Sequence, residues 1–358
     1  MPTIGDDDPD HCAKNGFPDQ ENLQKKNGVS KMADVGSMPM KLIIQIPCYN
    51  ESDTLAVTLG DLPRQIPGFS RVEWLLIDDG STDESVAIAK AHGVDHIVRL
   101  PKRQGLARVF MAGLDACIKL GADVIVNTDA DNQYKAEFIP KLVAPVVDGS
   151  ADMVIGARSI SQIRQFSRSK KILQRIGSWV VRKFSRTTVP DAPSGFRALS
   201  RDAAMRINVF NDFTYTLETI IQAGQKNMAI ISIPIEVNPT PRPSRLIKGV
   251  FPYIKRSLVT IVRISIIYKP FSFFFTIGLG LFFGGFLIGL RFLWFLLHGT
   301  GRGHVQSLIL ASILLGMGVQ SMLIAFISDL LSTNRKILED LQYRMKKMEY
   351  QEKEQKTK

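Results

Sequence analysis

VIVNTDADNQY, residues 124–134, decides how this chain is read. An apolar, strand-like run passes directly into oxygen-bearing side chains at alternating positions, Asp129, Asp131 and Gln133. Divalent cations such as Mg²⁺ and Mn²⁺ prefer carboxylate and carbonyl oxygens, and Mg²⁺ commonly shares its shell between one or two protein carboxylates and a substrate phosphate. The stretch is therefore read as a metal site facing a nucleoside diphosphate. An isolated D-x-D would more simply be a solvated acidic turn, so the reading depends on what surrounds it.

Two further apolar runs end in polar clusters of the same kind. KLIIQIPCYNES (residues 41–52) closes on Pro47, Tyr49, Asn50 and Glu51, and VEWLLIDDGSTDES (residues 72–85) closes on Asp78, Asp79, Gly80, Ser81 and Asp83. Helical periodicity follows each, over residues 52–62, 82–91 and 105–120, with Ser81 or Thr82 as the expected cap of the second helix. Repeated strand-loop-helix units predict an α/β domain with a largely parallel sheet and crossover helices. Ligands of such sheets sit beyond the carboxyl ends of the strands, which puts all the polar clusters on one edge. PKRQGLARVF (residues 101–110) adds Lys102, Arg103 and Gly105 in a loop that reaches the same edge.

PCYNE, DDGSTD, DADNQ, the GAR of residues 156–158 and the SGFR of residues 194–197 resemble, in this order, the motif set of family 2 glycosyltransferases. Within that family the resemblance is to the dolichyl-phosphate mannose synthase and polyprenyl-phosphate glycosyltransferase group, and it spans residues 41–238. It implies a GT-A fold, Rossmann-like, with a UDP- or GDP-linked sugar as donor, a polyprenyl phosphate as acceptor and Mg²⁺ or Mn²⁺ as cofactor. By resemblance Asp129, Asp131 and Gln133 hold the metal. Pro47, Tyr49, Glu51 and Asp78 bind the nucleotide, with Asp79 near its ribose or base. Arg158 and Arg197 grip phosphates, as suits a bidentate guanidinium, and Ser194 belongs to the same binding set. A phosphate monoester is mostly dianionic at neutral pH, so no strong base is required. Asp191 is the candidate for positioning or weak base assistance. The implied reaction is metal-dependent, inverting hexose transfer. Transfer to another lipid or glycan acceptor is the rival enzyme reading, and a non-catalytic, membrane-tethered nucleotide-sugar-binding scaffold is the rival of a different class. Q-x-x-R-W, the signature of processive synthases, does not occur.

Residues 159–186 interleave Arg164, Arg168, Lys170, Lys171, Arg175, Arg182 and Lys183 with Ile163, Phe166, Leu173, Trp179 and Val180. A basic amphipathic stretch of this kind suits an anionic lipid surface. By resemblance Lys170 and Arg175 contact the lipid phosphate, although Gln174 stands where the family carries a serine. Residues 241–269 repeat the theme through Lys248, Lys255, Arg256, Arg263 and Lys269 and are read as interfacial helices. Residues 270–297 and 305–331 are apolar runs long enough to span a bilayer, charged only at Arg291 and Asp329. Cations flank the outer ends of this hairpin, while its connection carries Arg302 between two histidines. The positive-inside rule then places both ends, and the catalytic domain, on the cytoplasmic side of the plasma or inner membrane.

The chain is 45% hydrophobic with a mean hydropathy of +0.04, high for a purely soluble protein. Its net charge of +11 is concentrated beside apolar segments, without a DNA- or RNA-recognition motif, which points to anionic lipid and away from nucleic acid. Cys12, Cys48 and Cys117 suggest neither a disulfide framework nor a zinc site. The expected organisation is a disordered leader (1–40), a glycosyltransferase domain (41–240), interfacial helices (241–269), a transmembrane hairpin (270–331) and a charged cytoplasmic tail (332–358). Gly278, Gly280, Gly284, Gly285 and Gly289 permit close helix contact, so oligomerisation through the spans is an open expectation. Ile337, Leu341, Met345 and Met348 form one stripe of the tail, either a short coiled coil or the apolar side of a charged helix.

Overall fold

The computed structural model describes residues 40–158, 189–209, 215–239, 259, 262–263, 266–299 and 301–357. The leader, the basic segment with Lys170 and Arg175, and most of residues 241–269 lie outside the described residues. The strands are β1 (Met40–Cys48), β2 (Phe69–Asp78), β3 (His96–Arg99), β4 (Val124–Asn127), β5 (Met153–Arg158), β6 (Arg197–Ser200) and β7 (Ile230–Ile235). They form one sheet in the order β3-β2-β1-β4-β6-β5-β7. The helices among the described residues are α1 (Ser52–Asp61), α2 (Ser85–Ala91), α3 (Leu106–Lys119), α4 (Ile139–Val147), α5 (Arg201–Arg206), α6 (Thr216–Gln225), α7 (Pro270–Leu297) and α8 (Val305–Thr357).

Both faces of the sheet are buried, which is why its central strands read as unbroken apolar runs rather than as alternating ones. Ile43, Leu75, Ile77 and Ile125 enter the core on one face, against α3 and α5, while Leu42, Ile44, Leu76 and Val126 enter the other. All eight are fully buried. The pairing is parallel except around β6, which runs antiparallel to both β4 and β5. That reversal shapes the site. The register sets Cys48 beside Asp78 and Asn127 beside Arg197, so the carboxyl ends of β1, β2 and β4 meet the amino end of β6 on one edge.

Helices α7 and α8 are long and apolar enough to cross a membrane. Their side chains are not a hidden core, since Leu287, Trp294, Leu297, Phe326 and Leu330 are all more than half exposed. Exposed apolar surface on this scale marks a membrane or partner contact. The two helices pack through small residues: a Cβ on Gly278 would come within 2.8 Å of the Gly318 carbonyl oxygen, and one on Gly285 within 2.9 Å of that of Ala311. Gly280 and Gly284 face open space. Part of the glycine pattern thus serves contact inside the hairpin.

Helix α8 does not stop where its apolar stretch ends. It continues unbroken and lies along the catalytic domain, with Glu339 3.0 Å from Lys226, Tyr343 donating to Asp202 at 2.6 Å, and the Arg201 guanidinium 4.2 Å from the Tyr350 ring centre. Tyr268, just before α7, donates to Glu218 of α6 at 3.3 Å.

Candidate active site

The tips of β1 and β2 are built from each other. Asn50 takes the left-handed conformation at φ 52°, which its short polar side chain tolerates. Its N–H donates to Ser81 Oγ (3.0 Å) and its Oδ1 accepts from the Thr82 N–H (2.9 Å). Glu51 N–H donates to Ser85 Oγ and Ser52 N–H to Asp83 Oδ2. These bonds explain why α2 begins at Ser85 instead of at the expected cap, since Ser81 and Asp83 are already committed to the neighbouring loop. Burial pushes the Asp83 carboxyl up, but the hydrogen bonds from Ser85 and Ser52 outweigh it and hold the group at about 2.

Asp78 is fully buried. Its Oδ1 accepts from the Ser81 N–H at 2.8 Å, whereas its Oδ2 has no hydrogen-bond partner and only the Arg99 Nε 3.2 Å away. Ser81 and Arg99 line an open cleft of about 480 Å³ with Gly80, Thr82, Leu100 and Pro101. A buried carboxylate oxygen paired with an exposed arginine, beside residues that line a cleft, is suited to an N–H group of a ligand.

Asp79 behaves differently. Its two oxygens accept from the N–H groups of Gln104 (2.6 Å) and Gly105 (3.0 Å), fixing the basic loop ahead of α3. Asp79, expected near a ribose or base, positions the loop in this structure through both of its oxygens. Gly80, at φ +74°, lets that loop approach, since a Cβ there would meet the Arg103 nitrogen at 3.1 Å. Arg103 then lies over the Tyr49 ring, 4.4 Å from its centre. Pro47 is buried in the β1–β2 ladder beside Ile77, so it shapes the strand end and offers a ligand no side chain.

At the end of β4, Asp129 feels the charge of Asp131, two residues on. Burial, and next the charge of Asp131, push the Asp129 carboxyl up to about 7, against the opposing charges of Arg158 and Arg197. Asp131 Oδ1 accepts the Gln133 N–H at 3.1 Å, closing a tight turn through Asn132 at φ 52°. The Ala130 carbonyl accepts from the hydroxyls of Thr54 and Thr58, which tie the turn to α1. Among the described residues no cluster of three or more acidic, histidine or cysteine side chains could hold a metal alone. Two close carboxylates and an amide oxygen nevertheless fit a hard cation that takes its remaining ligands from a diphosphate. Gln133 Oε1 here accepts from Arg158 Nη1 at 3.3 Å, so it would have to release that bond to serve as third ligand.

Arg158 and Asp191 form one unit. Nε and Nη2 of the arginine reach the two carboxylate oxygens at 2.8 and 3.2 Å, and the Arg158 backbone N–H adds a bond to Oδ2. Burial works against the Arg158 charge, but Tyr134 and Asp191 together hold its pKa above the ordinary value. Of the two roles expected for Asp191, positioning or weak base assistance, these bonds fit positioning of Arg158.

The SGFR turn is tied into the fold by its own side chains. Ser194 Oγ donates to the Gly156 carbonyl at 2.6 Å. Arg197, fully buried, donates from Nε to Ser194 O (2.8 Å), from Nη2 to Ala192 O (3.0 Å) and Thr216 O (2.9 Å), and from Nη1 to Thr219 Oγ1. In this structure the side chains of Ser194 and Arg197, expected to bind substrate, are engaged by the turn itself. Gly195 is where the turn meets the metal-site residues: a Cβ there would lie 3.1 Å from Asp129 Oδ1 and 2.8 Å from the Tyr215 hydroxyl. Its N–H donates to Tyr134 Oη, and its carbonyl accepts from Asn127 Nδ2 at 2.8 Å. Asn127 also accepts from Gln45 Nε2 at 2.9 Å, making a buried polar relay between strands. Sequence reading missed Asn127, Tyr134 and Tyr215. The one available signal was a polar residue closing the apolar run VIVN.

Residues 43–207 match the family model described as glycosyl transferase family 2. The undecaprenyl-phosphate mannosyltransferase of Micrococcus luteus is 26% identical over 206 residues, covering 55% of this chain and 83% of that protein. The polyprenol monophosphomannose synthase of Mycolicibacterium smegmatis is 24% identical over 206 residues, covering 54% and 76%. Among solved structures, glucosyl-3-phosphoglycerate synthase from Mycobacterium tuberculosis, in complex with Mn²⁺, UDP-glucose and phosphoglyceric acid, superposes with a TM-score of 0.50 at 18% identity, over 63% of this chain and 79% of that one. At that identity the likeness speaks to the fold alone, which is GT-A.

Proposed function

We propose that this chain, a glycosyltransferase whose residues 43–207 are a family 2 domain, transfers a hexose from a UDP- or GDP-linked sugar to a polyprenyl phosphate at the cytoplasmic face of the membrane. The observation that carries the reading is the register of the sheet. By pairing Cys48 with Asp78 and Asn127 with Arg197, it brings a cleft beside an unsatisfied carboxylate and a crowded carboxylate pair to one edge of a domain held on apolar helices. The relatives named for transfer to undecaprenyl phosphate and for polyprenol monophosphomannose synthesis support the acceptor class.

The chemistry follows from the residues present. Asp78 takes an N–H of the base in the cleft, and Tyr49 with Arg103 flanks the path of the diphosphate. Asp129 and Asp131, with Gln133, would hold Mg²⁺ or Mn²⁺, which when bound would offset the charge developing on the leaving diphosphate. Arg158, held in the orientation that Asp191 dictates, presents a guanidinium to the acceptor phosphate. A phosphate oxygen of the lipid attacks the anomeric carbon, its bond to the sugar forms as the bond to the nucleoside diphosphate breaks, and the configuration inverts. The acceptor is already a dianion at neutral pH, so Asp191 need not accept a proton. Lys170 and Arg175, outside the described residues, are assigned to the lipid phosphate on the sequence resemblance.

The test is incubation of the purified full chain in detergent with polyprenyl phosphate and a panel of UDP- and GDP-sugars, with extraction of the lipid product. One donor should give a polyprenyl-phosphate sugar in a reaction abolished by EDTA. Transfer independent of polyprenyl phosphate, or full activity in EDTA, would overturn the acceptor and the metal assignments respectively.

A further inference from the structure

Beyond its apolar span, α8 carries a second apolar seam. Leu338, Leu341, Met345 and Met348 are 66%, 50%, 63% and 61% exposed. They succeed one another at alternating intervals of three and four residues, and the same intervals run back through Asn334 to Leu331, Ile327 and Ile324. This is the heptad repeat that closes helices into a left-handed coiled coil. The face opposite the seam is occupied, since Glu339, Tyr343 and Tyr350 rest on the catalytic domain.

Lipid cannot cover the outer part of the seam. The apolar span ends before Arg335 and Lys336, and at about 1.5 Å per residue Met348 stands roughly 20 Å farther along the same unbroken helix. The occupant must come from water, and a second copy of this chain has the right chemistry. Copies anchored in one membrane share an orientation, so their helices leave the bilayer at the same residue, parallel and in register. Confinement to the membrane also raises the effective concentration of one tail around another, which suits a seam of only two heptads. With Leu338 and Met345 at the a positions and Leu341 and Met348 at d, Arg344 falls at g and Glu349 at the following e. In a parallel pair these are the positions that face each other across the seam. Among the described residues Arg344 bonds to exposed Asp340 on its own helix at 2.8 Å, and it is itself 71% exposed, so it is accessible for that contact.

We propose that the tail of α8 pairs with that of a second copy as a parallel two-stranded coiled coil through Leu338, Leu341, Met345 and Met348, each catalytic domain riding on the outer face. The inference does not rest on the proposed reaction. It is tested with the full chain in membranes, in a Cys12→Ser background, because Cys48 and Cys117 are buried. Under mild oxidation Leu341→Cys should give a disulfide-linked dimer, whereas Lys347→Cys, exposed but off the seam, should not. Cross-linking at both positions alike, or at neither, overturns the pairing. Light scattering of the detergent-solubilised chain should give two copies per particle. One copy overturns the proposal, and three or more overturn its two-stranded form. Arg344→Glu should lower the dimer fraction several-fold, and adding Glu349→Arg should restore it. No response to either change overturns the parallel register.

Discussion

The end of β4 and the entrance to β6 lie side by side across the Asn127–Arg197 pairing, yet they are built on opposite terms. At the β6 entrance every charged or polar side chain is answered from within: the Arg197 guanidinium by backbone carbonyls and a threonine, Ser194 by Gly156. At the β4 end burial, and next the charge of Asp131, push the Asp129 carboxyl to about 7. Native interiors satisfy their polar groups, so a carboxylate held well above its ordinary range at a strand end marks a candidate ligand site, and full satisfaction marks the frame around it. Two motifs that look equally chemical in the sequence thus divide into site and support.

The largest expected effect breaks the pair at β4. Asp131→Asn removes a charge from the metal shell and should lower the transfer rate by about 10³-fold, roughly 4 kcal/mol of transition-state stabilisation. The thermal midpoint of the metal-free protein should stay unchanged or rise, because the substitution also removes repulsion from Asp129. A variant that loses stability in step with activity would mean that Asp131 belongs to the frame.

Arg197→Met attacks the other side of the comparison. It leaves the carbonyls of Ser194, Ala192 and Thr216 without their donor and should cost about 3 kcal/mol of stability. The measurement is denaturant unfolding of the full chain in detergent. Any remaining folded protein should keep its KM for polyprenyl phosphate, and a raised KM at unchanged stability would return Arg197 to the site.

A smaller effect lies in pH. Because the folded Asp129 titrates near 7 while an unfolded aspartate titrates near about 4, the folded state binds the extra proton between these values. Stability of the metal-free protein should therefore fall as pH rises from about 4 to about 7 and level off above. Adding Mg²⁺ should stabilise the protein more at pH 8 than at pH 5.5, and Asp129→Asn should remove both trends. A thermal midpoint that climbs through that window in the metal-free protein, or fails to respond to Asp129→Asn, would contradict the crowding.

The strands were legible because apolar runs that end abruptly in Asp, Asn and Pro leave few other structures open. DADNQ and DDGSTD announced a ligand edge by chemistry alone. Other features depend on partners distant in sequence. The reversal at β6 rests on a four-residue strand, RALS, too short to carry a period. Asp79 and Asp78 are adjacent in the sequence, and only the fold gives one the loop amides of Gln104 and Gly105 and leaves the other an unbonded oxygen. The tail read as either a short coiled coil or a charged helix with one apolar stripe, since Glu339, Tyr343 and Tyr350 look like a solvated face until the catalytic domain is set against them.

Ser194 offers the finest cut between site and frame. Its hydroxyl donates to the Gly156 carbonyl at 2.6 Å and is buried beneath the turn that carries Gly195 against Asp129. Ser194→Ala deletes that one bond and leaves the Gly156 carbonyl short of a donor, a loss of about 1 kcal/mol by the usual worth of such a bond. The methyl fits the vacated space, so the turn should hold its shape and KM for both nucleotide sugar and polyprenyl phosphate should stay within about twofold, under 0.5 kcal/mol. The opposite pattern, an unchanged thermal midpoint with a tenfold rise in one KM, would show the hydroxyl leaving Gly156 to meet a substrate. The boundary between site and frame would then run through the SGFR turn instead of between β4 and β6.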